Sequence, residues 1–214
     1  MQHHIDFTLK APYQTLNTLN PNTKYIWIVC HGYGQLAEHF IKRFDVLDPI
    51  ENFIIAPQGL SKFYLPENYR KVGASWMTKN DRETDMLNQR SYFNAIIEHE
   101  LKGQDHESCQ YVLMGFSQGV SMVSRFAAFA KINFRHLILW AGGFPPELTP
   151  ESFEHISSHA ELHVVLGTSD QYFNEENYKQ EITKMHDAIG LEPNIQLFDG
   201  RHEVKREVLK SLIQ

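Results

Sequence analysis

The pentapeptide Gly115-Phe116-Ser117-Gln118-Gly119 constrains this chain more than any other segment, because of what flanks it. Before it, Tyr111 to Met114 reads as a short buried strand. After it, Val120 to Ala130 is apolar, alanine-rich and spaced as a helix. A serine between a strand and a helix that starts at once must sit in a sharp turn with a strained backbone. The crowding explains the glycines, since the positions two before and two after the serine have no room for side chains. The helix behind also aims unpaired N–H groups and a positive dipole end at any negative charge that forms there.

A hydroxyl so placed needs a general base and an acid that orients the base. In this arrangement they follow the serine in the order acid, then histidine. Glu161 to Gly167 is a strand-like run that leads into Thr168-Ser169-Asp170. Asn194 to Phe198 is another, followed by Asp199-Gly200-Arg201-His202. Asp170 and His202 each lie just past a strand end, at the edge of the sheet where Ser117 is expected. Ser117, Asp170 and His202 are therefore the candidate nucleophile, acid and base. Asp199 lies too close to the turn that carries His202 to reach around to its ring, and Glu147 stands well beyond a strand end. His155, His159 and His163 share a four-residue spacing, but they straddle a helix-to-strand boundary without an accompanying carboxylate or cysteine pattern. No metal is expected.

Donors for a developing oxyanion should come from the loop after an early strand. Lys24 to Cys30 is the most hydrophobic strand candidate in the N-terminal half, and His31-Gly32-Tyr33-Gly34 follows it. Glycines there let the main chain approach a carbonyl oxygen. The expected donors are the backbone N–H groups of Tyr33 and Gln118, with His31 bracing the loop.

Several short segments stand in order along the chain: His31-Gly32-Tyr33-Gly34, Ala56-Pro57-Gln58-Gly59, Ser75-Trp76-Met77, the serine pentapeptide, Gly167-Thr168-Ser169-Asp170 and Gly200-Arg201-His202. From Tyr25 onward they resemble the phospholipase/carboxylesterase family of the α/β-hydrolase superfamily, which includes acyl-protein thioesterases and small bacterial carboxylesterases. The resemblance implies Ser117 as nucleophile, Asp170 as acid, His202 as base, and Tyr33 and Gln118 as oxyanion donors. It also implies cleavage of carboxylic esters or thioesters through an acyl-enzyme, with no cofactor. A small-ester carboxylesterase is the first expectation, and a lysophospholipase or acyl-protein thioesterase on longer chains the second. A catalytically inactive α/β-hydrolase that serves as a binding module is the reading from another class. Three departures bear on the acyl pocket: Val120 where the family has a second glycine, Tyr33 where leucine is common, and a segment around Trp76 without the family's W-F-D wording.

Length and composition fit this class. A chain of 214 residues suits one α/β domain with a full core and no separate cap domain. A net charge of -6 and a pI near 6.0 argue against nucleic-acid binding and against docking on anionic lipid. The expected partner is a small ester or thioester molecule; monomer and homodimer are both compatible with the sequence. Met1 to Asp6 lacks a signal-peptide layout and no run reaches membrane-spanning length, so no stable membrane insertion and a cytoplasmic location are expected. Cys30 and Cys109 are expected at opposite ends of parallel strands, as reduced thiols.

Strands are expected near 25–30, 52–56, 109–114, 136–141, 162–167 and 194–198, and helices near 36–47, 81–101, 118–131, 174–189 and 203–213. This alternation implies the α/β-hydrolase fold, a mostly parallel central sheet with helices on both faces. Asn80 with Glu83 reads as the start of the second helix, whose Met86, Phe93, Ile97 and Leu101 form a core stripe. Residues 1–20 alternate weakly around Ala11-Pro12 and read as an N-terminal hairpin. Residues 58–79 read as an irregular loop dense in aromatics, either packing on the body or walling an acyl pocket. In the second case Tyr64, Trp76 and Phe144 would line that pocket.

Overall fold

In the computed structural model, which describes residues 1, 3–66, 69–173 and 175–213, the inner strands of the sheet are apolar through most of their length because they are covered on both sides. The central sheet takes β1 (Tyr13–Leu16), β2 (Tyr25–Cys30), β3 (Asn52–Pro57), β6 (Gln110–Phe116), β7 (Phe134–Trp140), β8 (Glu161–Gly167) and β9 (Pro193–Phe198). Their spatial order is β1-β3-β2-β6-β7-β8-β9, and only the β1–β3 pair is antiparallel. Two helices, α2 (Arg82–Leu101) and α3 (Gln118–Ala130), cover one face with α4 (Glu175–Ile189). The short α1 (Ala37–Phe40) and α5 (Arg206–Ser211) cover the other.

Side chains alternate between the two layers, as the pleat demands. On β2, Trp27 and Val29 join one cluster while Ile28 and Cys30 join the other. Trp27, Trp76 and Trp140 are wholly buried, and truncating a side chain of this size costs about 3–5 kcal/mol. Among the described residues, no helix is long and apolar enough to cross a membrane. The thiols of Cys30, buried, and Cys109, partly buried, are unpaired, and burial pushes Cys30 well above the usual thiol range.

The strand order also locates a cleft. From β2 the chain steps outward to β3, then crosses back to β6 on the far side of β2. The sheet reverses direction there, and the crevice beyond the carboxyl ends of β2 and β6 is where such sheets bind ligands.

Several expectations need correcting. Among the described residues no N-terminal hairpin forms. Ile5, Phe7 and Leu9 stay exposed, while Tyr13–Leu16 pairs with β3 instead. A lone hairpin has no face to bury, whereas the β3 edge offers a ready ladder. Residues 58–79 are not irregular either: β4 (Ser61–Tyr64) and β5 (Val72–Ser75) form a two-stranded antiparallel sheet. Its period is masked by Gly73, where a Cβ would lie 2.4 Å from the Gly34 carbonyl oxygen. The helix near 36–47 is α1 followed by one 3₁₀ turn, Ile41–Phe44. Helix α2 starts from Asp81, in the left-handed region at φ 52°, rather than from Asn80. Its stripe does pack into the core, with Ile96 added. The last helix is confined to α5, and residue 174, the expected start of α4, lies outside the described residues.

Candidate active site

Ser117 caps α3 with φ 55° and ψ -120°, the strained turn that the flanking glycines allow. A Cβ on Gly115 would lie 2.3 Å from the Gly119 carbonyl oxygen, and one on Gly119 would lie 2.1 Å from that of Cys30. The serine hydroxyl therefore stands at the end of β6 with the start of α3 behind it. Its Oγ is 2.9 Å from His202 Nε2, and His202 Nδ1 is 2.7 Å from Asp170 Oδ2.

Asp170 is held in turn. Its Oδ1 accepts the Tyr172 N–H at 2.9 Å, and its side chain is closed to solvent. The loops after β8 and β9 are zipped together, Thr168 N–H to Phe198 O and Ser169 N–H to Gly200 O, both at 2.9 Å. Trp140 donates its indole N–H to the Glu203 carbonyl at 2.9 Å, which fixes the far side of the His202 turn. The imidazole lies between Phe116, ring centres 4.8 Å apart, and the edge of Tyr172 at 4.6 Å. Asp199 is exposed, and its carbonyl accepts from Lys205.

The loop after β2 faces the serine across the cleft. Gly32 N–H donates to Gln35 Oε1 at 2.8 Å, and Gly34 N–H to the Ala74 carbonyl at 2.9 Å. Among the described residues, the Tyr33 and Gln118 amides donate to no protein acceptor, and both residues line the cavity at Ser117. That cavity, about 480 Å³, is also walled by Phe116, Ala141, Gly142 and Tyr172. A hollow of about 630 Å³ lies at the other end of the sheet beside Tyr25 and Gln110. Size alone does not single out a candidate site; the Ser117–His202–Asp170 hydrogen-bond chain marks the cavity beside Ser117 as the candidate.

His31 braces this loop from within the core. Its Nδ1 donates to the Gly32 carbonyl at 2.8 Å, and its Nε2 accepts the Gly59 N–H at 3.0 Å. Burial lowers its pKa to about 4, against about 6.5 in an unfolded chain. The unfolded chain thus binds a proton between these values that the folded one refuses, so the contribution is complete above pH 6.5 and is lost towards pH 4. Guanidinium unfolding should show a loss of about 2 kcal/mol from this group between pH 7 and pH 5. A folded His31→Gln variant should lack that part of the slope; an unchanged slope would mean His31 is not the group.

The sequence from residue 15 to 214 matches the Phospholipase/Carboxylesterase family. The chain belongs to the phospholipase/carboxylesterase family. Its sequence matches none of the curated proteins. Solved structures share its α/β-hydrolase fold. One is acyl-protein thioesterase 2 of Zea mays, at 14% identity and TM-score 0.66, covering 94% of this chain and 95% of that one. Esterase PE8 gives 16% and 0.70 with 96% and 98% covered. A phospholipase/carboxylesterase from Dyadobacter fermentans gives 19% and 0.65 with 97% and 98% covered.

Within this hydrolase family the departures now have physical accounts. Val120, where the resemblance leads one to expect a second glycine, has room because it faces Gly142; a Cβ there would come within 2.5 Å of Val120 Cγ2. Tyr33 is largely exposed and stacks on Phe63 at 5.0 Å. Trp76 does not line the cavity at Ser117: its indole N–H donates to the His31 carbonyl at 2.7 Å, and its ring packs on His31 and Phe93. Tyr64 is exposed beside Tyr69, and Phe144 is buried against Phe153; neither lines the cavity at Ser117. Sequence reading missed Gln118's side chain as a tie: Nε2 donates to Ser75 Oγ and Met77 O, both at 3.0 Å, and Oε1 accepts from Trp76 N–H at 3.1 Å.

Proposed function

We propose that this family member is a serine carboxylesterase for short-acyl esters, working through Ser117, His202 and Asp170. The observation that carries the reading is the pair of hydrogen bonds, 2.9 and 2.7 Å, from a strained serine through an imidazole to a buried carboxylate. Ser117 Oγ attacks the acyl carbonyl as His202 Nε2 takes its proton, and Asp170 stabilises the imidazolium. The Tyr33 and Gln118 amides receive the oxyanion. His202 then gives the proton to the departing alcohol or thiol, and water, activated by the same imidazole, releases the acid from the acyl-enzyme.

Short chains are favoured because the cavity is small and open, and because Trp76 and Phe144, the bulky candidates for a long-acyl wall, are committed to packing. The free thiols of Cys30 and Cys109 suit a reducing compartment and support, for this reading, a cytoplasmic location. A series of p-nitrophenyl esters from acetate to palmitate, with a lysophospholipid and an acyl-CoA beside it, tests the preference. A long acyl groove would add up to about 0.8 kcal/mol, or roughly fourfold in kcat/KM, per buried methylene. The expected profile stops rising after a few carbons. A steady rise to palmitate would favour the lysophospholipase or acyl-protein thioesterase reading instead. Neither turnover nor labelling by a fluorophosphonate would leave a binding module.

A further inference from the structure

A second cluster of reactive side chains lies at the opposite end of the sheet. His136 is the third residue of β7, and Glu161 and His163 stand two apart at the start of β8. The strands are parallel with His136 opposite Glu161 and Ile138 opposite His163, so all three side chains project from one face. About 13 to 20 Å of strand separates them from the carboxyl ends of β7 and β8, on the Ser117 side of the sheet. They take no part in the proposed ester chemistry.

Their spacing is informative. His136 Nδ1 is 3.1 Å from His163 Nε2, and Glu161 Oε2 is 3.6 Å from the first and 3.5 Å from the second. The carboxylate oxygen faces both imidazoles yet is too far away for a charge-assisted hydrogen bond, which runs about 2.7–2.9 Å. Bonds of 2.0–2.1 Å to one tetrahedral ion put ligand atoms about 3.3–3.4 Å apart. The three separations scatter around that length.

We propose that His136, Glu161 and His163 bind one divalent transition ion, zinc before others, with water as the fourth ligand. Two imidazoles and one carboxylate suit zinc, whereas magnesium and calcium want oxygen ligands throughout. Both imidazoles are buried, and burial keeps them neutral, the form that coordinates. The proton shared across the 3.1 Å contact would shift to the far nitrogen of its own ring, leaving His136 Nδ1 and His163 Nε2 free to ligate. Arg135 bonds the other Glu161 oxygen, Oε1, and so orients Oε2 towards the histidines, as an outer-shell partner does. Glu161 is partly exposed, which gives an ion a way in.

The four-residue spacing of His155, His159 and His163, from which no metal is expected, does not mark this group. Among the described residues, the group within metal-binding reach is His136, Glu161 and His163. His155 is instead 3.1 Å from the Ala127 carbonyl.

The test begins with protein stripped by a chelator, in a background where His3 and His4 are alanine so that neighbouring surface histidines do not compete. Zinc is titrated against a chromogenic competitor, and cobalt is followed by its visible spectrum. The expected result is one tight equivalent, a four-coordinate cobalt spectrum and a melting temperature raised by zinc. His136→Ala/His163→Ala should lose all three. Glu161→Gln, which keeps the side-chain shape should the double variant fail to fold, should weaken zinc by about tenfold or more. A parent chain with no tight equivalent overturns the proposal. So does tight zinc that survives unchanged in a folded double variant or in Glu161→Gln.

Discussion

Ser117→Ala is expected to lower kcat for ester hydrolysis by roughly 10⁶-fold, with residual turnover about 10³- to 10⁴-fold above water from binding and oxyanion contacts. The size follows from what is removed: the acylation step has no other nucleophile, and His202 would be left as a base with no hydroxyl to activate. The fold should survive, because the Ser117 N–H bond to the Trp140 carbonyl at 2.9 Å belongs to the main chain. Steady-state turnover with p-nitrophenyl butyrate and circular dichroism on the same sample check both halves. A folded variant with near-normal turnover would remove Ser117, and the proposed mechanism with it.

The second large effect separates two aspartates. Asp170→Asn should reduce kcat by about 10⁴-fold, because an amide opposite Nδ1 favours the tautomer that leaves Nε2 protonated and unable to take the serine proton. Little movement is expected, since Tyr172 N–H can still bond the remaining side-chain oxygen. Asp199→Asn should change kcat by less than threefold or so, its side chain being exposed and outside the Ser117–His202–Asp170 hydrogen-bond chain. Measured together, the two variants distinguish a buried orienting acid from a bystander. If Asp199 proved the costlier loss, the role given to the 2.7 Å contact would fall.

What could be read from the sequence was whatever is local. The strand, the strained serine and the helix lie within about twenty consecutive residues, and chain order with strand ends picked out Asp170 and His202. The structure brings these three into hydrogen-bond contact. The alternation of strands and helices likewise carried the sheet and its two helical layers. What could not be read depended on competition between distant partners. Ile5, Phe7 and Leu9 alternate like a strand but lose the ladder, because Tyr13–Leu16 occupies the β3 edge. Trp76 looked like a pocket wall from its aromatic neighbours. Its indole N–H needs an acceptor when buried, and the His31 carbonyl supplies one in the core. His163 found its neighbours through strand register rather than through sequence spacing.

The glycine at position 119 carries a consequence for how such a protein can change over time. Its α-carbon rests against the Cys30 and His31 carbonyls, so at this point the turn bearing the serine and the loop bearing Tyr33 meet through main chain. The groups proposed to receive negative charge are backbone amides on those two segments. Their positions are thus insulated from the identity of nearly every side chain around the cleft. Mutation can reshape the walls at Tyr33, Ala141 or Tyr172 while the charge-accepting geometry stays put. It cannot touch Gly119 without forcing the two strands apart. A scaffold divided in this way can exchange one substrate for another by small surface steps, and it has few routes by which to drift into a different chemistry.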